Sequence, residues 1–312
     1  MFFTPSMKLI RFGKPRFKRF TRDKLNRTKR IHAYVTFGSN CNSNCKFCRN
    51  RQFSQDIMQD NYVQLCRTIK KYSPYIHTII FGGGEPLLYA DKLYDIITDP
   101  RILDYDINSY IITNGSRKLF FHEVESCKLC RNLSGIMLSR HHYDDSKNAE
   151  VFGNSNLLTT RDIKEELCRT LKSKMEFATT CFKGYIDTPK EILKFIEWGK
   201  RLRIEKFLFN DLQKDVTAPE YWEEYQIDSN VFSDCEKVLV SKGYDVGISV
   251  CYTAGYDIKT YTKGDIRVGF KRYHQSRKET VEKWKKSKRY TYDLSIMPNG
   301  EIFTDWTNKH KI

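Results

Sequence analysis

The 312-residue sequence lacks any stretch near the roughly 18 consecutive apolar residues of a membrane span. Its N-terminus lacks the apolar centre of a signal peptide, because basic residues keep arriving after the first few positions. There is no internal repeat, and no low-complexity run apart from that basic start. These absences make a soluble, cytoplasmic protein the expectation. Disorder is excluded as the main state, since hydrophobic residues make up 40% and aromatics 14%. The length suits one large domain or two small ones.

Acidic residues are also short: 38 Asp and Glu face 54 Lys and Arg. The imbalance is local. Residues 1–30 carry 11 basic side chains against Asp23 alone, and residues 271–290 carry 9 against 2. The remainder is close to neutral. Such segments attract anionic partners: nucleic acid, a phosphorylated substrate or an acidic peptide. They also occur as solvated tails. Neither segment matches a nucleic-acid-binding fold, so RNA is a partner that is allowed rather than favoured.

After the tail, short apolar runs alternate with polar, helix-like stretches. Strands are expected at 31–37, 78–81, 109–112, 135–138, 176–182 and 206–209, and helices at 62–71, 89–98, 161–172 and 189–201. This alternation predicts a parallel sheet covered by helices, with ligands at the C-terminal strand ends. Beyond about residue 216 it breaks. A loop with a short helix is expected at 217–226 and a helix at 231–242. Strands are expected at 245–252 and 265–270, then a basic helical segment to about 288. A hairpin around Pro298-Asn299-Gly300 ends the chain. The expected organisation is a basic tail (1–30), an α/β unit (31–215) and an α+β extension (216–312) that caps it.

Ten cysteines in a chain without an export signal argue for metal ligation or buried thiols over disulfides. Cys41, Cys45 and Cys48 follow the first strand with three and then two residues between them. Zinc or a cubane of four irons normally wants four ligands, yet no fourth is local. A cubane on three thiolates leaves one iron open.

This loop, with Phe47 before its third Cys, resembles the signature of the radical S-adenosylmethionine (radical SAM) superfamily. Gly83-Gly84-Glu85-Pro86 after the second strand, Thr113-Asn114-Gly115 after the third and Ser139 ending the fourth are similar to further motifs of that family, in the same order. The resemblance covers about residues 31–215. It implies a partial (β/α)6 TIM-like barrel, a [4Fe–4S] cluster on Cys41, Cys45 and Cys48, and S-adenosylmethionine chelated at the open iron. It further implies reductive cleavage of the sulfonium to a 5′-deoxyadenosyl radical that abstracts hydrogen from a substrate, as an oxidoreductase or lyase in biosynthesis. An electron donor such as flavodoxin or ferredoxin is implied too. Phe47, Gly83, Gly84, Glu85, Thr113, Asn114, Ser139 and Asp211 are the expected cofactor contacts. His141, His142, Cys181 and Lys183 are the candidates for substrate chemistry, with Thr179 and Asn210 nearby.

The extension is similar in layout to the molybdenum-cofactor GTP cyclase-like and SPASM/twitch branch. It lacks that branch's auxiliary-cluster cysteines, since no Cys follows Cys251. Cys127 and Cys130 form one further pair, which with Cys168 or Cys181 would make a second metal site or remain plain thiols. The leading expectation is hydrogen abstraction from an anionic nucleotide, sugar or amino acid. Alternatives are a peptide-modifying maturase, a glycyl-radical activase and, from another class, a zinc-containing nucleic-acid-binding protein.

Overall fold

The computed structural model describes residues 30–45, 47–48, 55–100, 105, 107–123, 132–167, 169–214, 219–274, 276–286, 289–304 and 311. The expectations for the basic tail, for Cys127 and Cys130 and for Cys168 lie outside the described residues.

Six strands pair in parallel and in chain order: β1 (Arg30–Thr36), β2 (Thr78–Gly82), β3 (Asn108–Thr113), β4 (Gly135–Ser139), β5 (Met175–Thr180) and β6 (Lys206–Asn210). Between them lie α1 (Tyr62–Tyr72), α2 (Ala90–Ile97), α3 (Lys118–Glu123), α4 (Asp145–Phe152), α5 (Arg169–Lys174) and α6 (Pro189–Arg201). Then α7 (Pro219–Tyr225) and α8 (Val231–Ser241) follow β6.

Side chains alternate across each strand. Ile31, Ala33 and Val35 on β1, Ile79 and Phe81 on β2, and Phe177 on β5 are fully or nearly buried beneath the helices. The helix α6 shows how such a layer is built. Thr188 caps it by accepting the Glu191 N–H at 3.2 Å, and Pro189 opens it. Ile192, Phe195, Ile196 and Trp198 form one buried face, and Trp198 stacks on Phe177 with ring centroids 5.3 Å apart. The alternate residues, among them His32 and Tyr34 on β1 and Asn210 on β6, turn to the inside of the sheet.

The last third is α+β, as expected, and it continues the same sheet. Its elements are β7 (Asp245–Val246), β8 (Val250–Tyr252), β9 (Tyr256–Lys263), β10 (Ile266–Tyr273), α9 (Arg277–Lys286), β11 (Arg289–Ile296) and β12 (Ile302–Phe303). β10 pairs in parallel with β6, β9 and β8 follow antiparallel, and β11 pairs in parallel with both β8 and β1. The ring therefore closes at the β1–β11 seam. A six-strand sheet would leave unpaired backbone groups along β1 and β6, and β11 and β10 satisfy those edges.

Three local expectations differ from the structure. The 245–252 strand is split into β7 and β8, and β9 occupies a segment that carries no apolar run. The 161–172 helix is interrupted: a π-turn (Asp162–Glu166) gives way to extended Leu167 before α5. The Lys172 ammonium reaches back to the Lys164 carbonyl at 3.0 Å, satisfying an acceptor that the break frees. Finally, β5 ends at Thr180, short of Cys181 and Lys183. Among the described residues no helix is long and apolar enough to cross a membrane.

Candidate active site

The turns after β1, β2, β3 and β4 meet at one end of the sheet. After β2, Gly83 has a φ of 113°, which a side chain would strain. Its N–H donates to the Tyr34 hydroxyl at 3.1 Å. A Cβ on Gly84 would lie 2.0 Å from the Asn40 carbonyl oxygen. Glycine is thus needed there so that the cysteine loop can pass. The Gly84 N–H donates to the Gly38 carbonyl at 3.1 Å and the Glu85 N–H to the Asn40 carbonyl at 2.8 Å, pinning the loop to the turn.

Glu85 is 1% exposed. Its Oε1 accepts from Thr113 Oγ1 at 2.7 Å and the Leu87 N–H at 3.1 Å, and its Oε2 accepts from the Asn114 N–H at 2.8 Å. Burial raises its carboxyl pKa, and the donors from Asn114, Thr113 and Leu87 oppose that rise. Asn114 then donates to Asn42 Oδ1 at 2.9 Å and Ser43 Oγ at 3.0 Å. Asn42 donates to Ser116 Oγ at 2.7 Å, and the Asn44 N–H donates to the Phe152 carbonyl at 2.7 Å. The side chains of Glu85 and Asn114 therefore work as struts that join the β2 and β3 turns to the cysteine loop.

Cys41 is exposed and Cys45 and Cys48 half-buried. The Cys48 N–H donates to the Cys45 carbonyl at 3.2 Å, closing a turn. Crowding by the loop raises the Cys41 thiol, Ser43 opposes this, and Glu85 and Cys48 add to the rise. Among the described residues no three Cys, His, Asp or Glu stand close enough together to hold a metal ion. The loop does present three soft donors and no competing carboxylate of its own, a set suited to iron–sulfur chemistry. Beside it, the buried Thr36 hydroxyl finds no hydrogen-bond partner. It lies under Gly83, where a Cβ would come within 2.7 Å of Thr36 Cγ2. The donor set, the glycine cradle and the orphan hydroxyl fit a cluster with a polar cofactor.

Phe47 packs on His141 (5.1 Å) and Phe182 (5.2 Å). His141 stacks on Phe152 at 4.7 Å, and its Nδ1 accepts the Thr180 N–H at 3.0 Å. Burial, helped by Arg140, pushes its pKa down to about 3. His142 accepts the Asp144 N–H through Nδ1 at 2.9 Å, and burial with Lys147 pushes it down to about 4. Both rings are neutral near pH 7, with the remaining proton on Nε2. Each is a donor through that nitrogen and not a ready base. Ser139, the last residue of β4, is half-buried.

Arg140 went unremarked in the sequence and organises this corner. It is 2% exposed and donates to the carbonyls of His142 (2.7 Å), Leu158 (2.9 Å) and Tyr143 (3.3 Å) and to Asp145. Its guanidinium lies over Trp198 at 5.0 Å. A single Arg between a strand and two histidines offers no periodic signal.

Cys181 and Lys183 are not brought together. Cys181 is fully buried and burial raises its thiol pKa well above the ordinary value. Lys183 is exposed beyond the strand, with its N–H on the Tyr225 carbonyl at 2.9 Å. Thr179 donates to the Arg140 carbonyl at 2.7 Å. Asn210 donates to the Thr179 carbonyl at 3.2 Å. Asp211 accepts the Tyr273 N–H at 3.1 Å, and burial pushes its carboxyl up to about 7.

The profile of the radical SAM superfamily matches residues 35–198. No curated protein matches the chain. Among solved structures, SuiB of Streptococcus suis bound to S-adenosylmethionine is similar, with a TM-score of 0.59, 14% identity, and coverage of 93% of this chain and 65% of that one. SuiB bound to its precursor peptide SuiA gives 0.55 and 14%, with coverage of 90% and 62%. The chain thus spans just under two thirds of the length of these neighbours, and at such identity the likeness is one of fold.

Proposed function

The chain belongs to the radical SAM superfamily, and from that premise we propose that Cys41, Cys45 and Cys48 hold its iron–sulfur cluster as a [4Fe–4S] group. In this reading S-adenosylmethionine takes the open iron, and the inside of the barrel holds an anionic small molecule that loses hydrogen. Bound there, cluster and cofactor supply one-electron reductive cleavage of the sulfonium and hydrogen abstraction. The observation that carries the reading is the anchoring of the three-thiol loop by Gly84, Glu85 and Asn114 at the C-terminal strand ends.

The chain's own residues bind and orient. Gly83 and Gly84, pinned to Tyr34 and to the cysteine loop, shape the turn beside which the cofactor's amino-acid end would lie, with the Thr36 hydroxyl ready to bond it. Phe47, held on His141 and Phe182, supports the loop where the adenine is expected. Ser139 and Asp211 stand at strand ends from which a nucleoside is reached. The reductant is a flavodoxin- or ferredoxin-like protein. The excess of basic residues favours an anionic substrate. A peptide substrate is the second reading, favoured by the fold shared with SuiB bound to its precursor peptide.

Anaerobic reconstitution with counts of iron and sulfide, followed by dithionite and S-adenosylmethionine, tests this. About four irons per chain with release of 5′-deoxyadenosine are expected. Zinc with no cleavage would overturn the reading.

A further inference from the structure

The seam that closes the barrel carries a polar pair on its inner face. His32 of β1 and Asp293 of β11 are register partners, and His32 Nδ1 bonds Asp293 Oδ1 at 3.1 Å. His32 lies between Ile31 and Ala33, which are buried beneath the helices, so its side chain turns to the inside. On that face it precedes Tyr34 and Thr36, which lead up to the Gly83 turn. The strand between His32 and Thr36 is about 13 Å long, which sets the ring below the cysteine-loop end.

The carboxylate is firmly held. Asp293 is 5% exposed. Its Oδ2 accepts the Ala254 N–H at 3.1 Å, and its Oδ1 accepts the Tyr256 hydroxyl at 3.3 Å. Its own N–H donates to Thr253 Oγ1 at 2.9 Å. The Tyr256 ring stacks on Tyr252 at 4.4 Å and lies under the Lys271 ammonium at 3.9 Å. Tyr252 in turn meets the His32 ring edge to face at 5.8 Å.

A carboxylate accepts and does not donate, so the ring proton of His32 sits on Nδ1 and Nε2 holds a lone pair. Among the described residues none bonds that nitrogen, and the side chain keeps 14% of its surface exposed. His141 and His142 are the reverse: their Nδ1 atoms accept backbone N–H groups, which leaves the proton on Nε2. His274 differs again, with both ring nitrogens bonded, to Thr280 and Asp257. Much of the wall around the His32 ring is apolar. Ile80, Ile112, Met137 and Leu208 face inward from β2, β3, β4 and β6, with Tyr110 and Glu176 among them. A mainly apolar wall with a few fixed polar groups is the make-up of a small-molecule site.

We propose that His32, held by Asp293, binds a hydroxyl group of the substrate inside the barrel, accepting its hydrogen bond at Nε2. A hydroxyl is the donor that a sugar or a nucleotide carries. The proposal rests on the reading of the chain as a radical SAM enzyme with a small-molecule substrate, and it names a contact that orients that substrate below the cofactor. Asp293 is the positioning residue, since it sets which ring nitrogen is bare.

The test uses the anaerobically reconstituted full-length chain with isotope-labelled histidine, studied by nitrogen magnetic resonance at mildly alkaline pH. His32→Gln identifies the resonance. The expected state has the proton on Nδ1 and a bare Nε2. Ribose and ribose 5-phosphate are then added separately. At least one is expected to move the Nε2 resonance, and which one does so tells whether the hydroxyl compound must also carry an anion. Diethyl pyrocarbonate, which acylates bare imidazole nitrogens, is expected to modify His32 and to spare His141 and His142 in a peptide mass map. Asp293→Asn, whose amide can donate to Nδ1, is expected to slow that modification at least about tenfold, with iron content and circular dichroism at the wild-type values. Should that variant fail to fold, the wild-type spectrum and mass map decide. A proton on Nε2, or on both nitrogens, would overturn the proposal. So would a His32 that the reagent spares in the folded chain, or a resonance that neither sugar moves; the pair would then only close the seam. A chain that loads no iron would instead sink the underlying reading, so the two failures are told apart.

Discussion

The two halves of the barrel use polar residues in opposite ways. Around β1 to β4, buried polar side chains bond backbone and one another: Glu85 ties three donors, Asn114 bridges to Asn42 and Ser43, and Arg140 collects three carbonyls. Around β8 to β11 they project from strands into the interior: Lys271 on its tyrosines, and Asp293 with His32. The first arrangement shapes loops; the second lines a space. Residues of similar polarity thus tie loops together on one side and line the interior on the other, and the difference is whether they stand in the turns or on the strands.

That contrast breaks most severely at the first half. Cys45→Ala should abolish iron loading, whereas Cys181→Ala, a buried thiol away from the loop, should load iron fully and lose only about 1–2 kcal/mol of stability. Iron analysis and urea melts separate the two. Equal iron loss would show that the loop is not the cluster site.

Arg140→Met is next. It strands three buried carbonyls and Asp145, and should cost about 3–5 kcal/mol in a denaturant melt. A cost under about 1 kcal/mol would mean that the corner is not held by this residue.

Asp211 stands between the halves and gives a pH signature. Its folded pKa, about 7, lies above the ordinary 3.8. Between those values the folded chain keeps a proton that the unfolded chain has lost. Stability from this group is therefore present at low pH and lost as pH rises through about 7. Asp211→Asn should flatten that fall, raising stability at pH 8 relative to wild type by up to about 4 kcal/mol and by nothing near pH 4. Melts at the two pH values check it, and an equal effect at both would refute the burial account.

The smallest effect is expected at Lys183. Lys183→Ala should change stability by less than about 0.5 kcal/mol in a urea melt. A loss above about 1 kcal/mol would mean that this side chain packs in the fold and is not merely exposed.

Much of the first half is legible in the sequence, because its signals are local. Cys41, Cys45 and Cys48 lie within one short loop, and Gly83-Gly84-Glu85 directly follows an apolar strand. The use of those residues was less legible. Glu85 reads as a cofactor contact, yet its oxygens are taken by donors 2 and about 28 residues away. The end of β5 was misplaced because Cys181 and Phe182 are as apolar as the strand before them. β9 went unseen because Tyr256–Lys263 carries no apolar run: its two buried residues, Tyr256 and Tyr261, fall on opposite faces among half-buried polar ones.

By itself the sequence determined the family, the strand–helix alternation and the three-thiol loop, since each depends on residues close together in the chain. Only the tertiary structure decided that the last third closes the barrel, that His32 meets Asp293 across 261 residues, and that Lys271 rather than Lys183 faces the interior. Strand partners and register follow from which edges need pairing and which faces need burial, and both are properties of the assembled sheet.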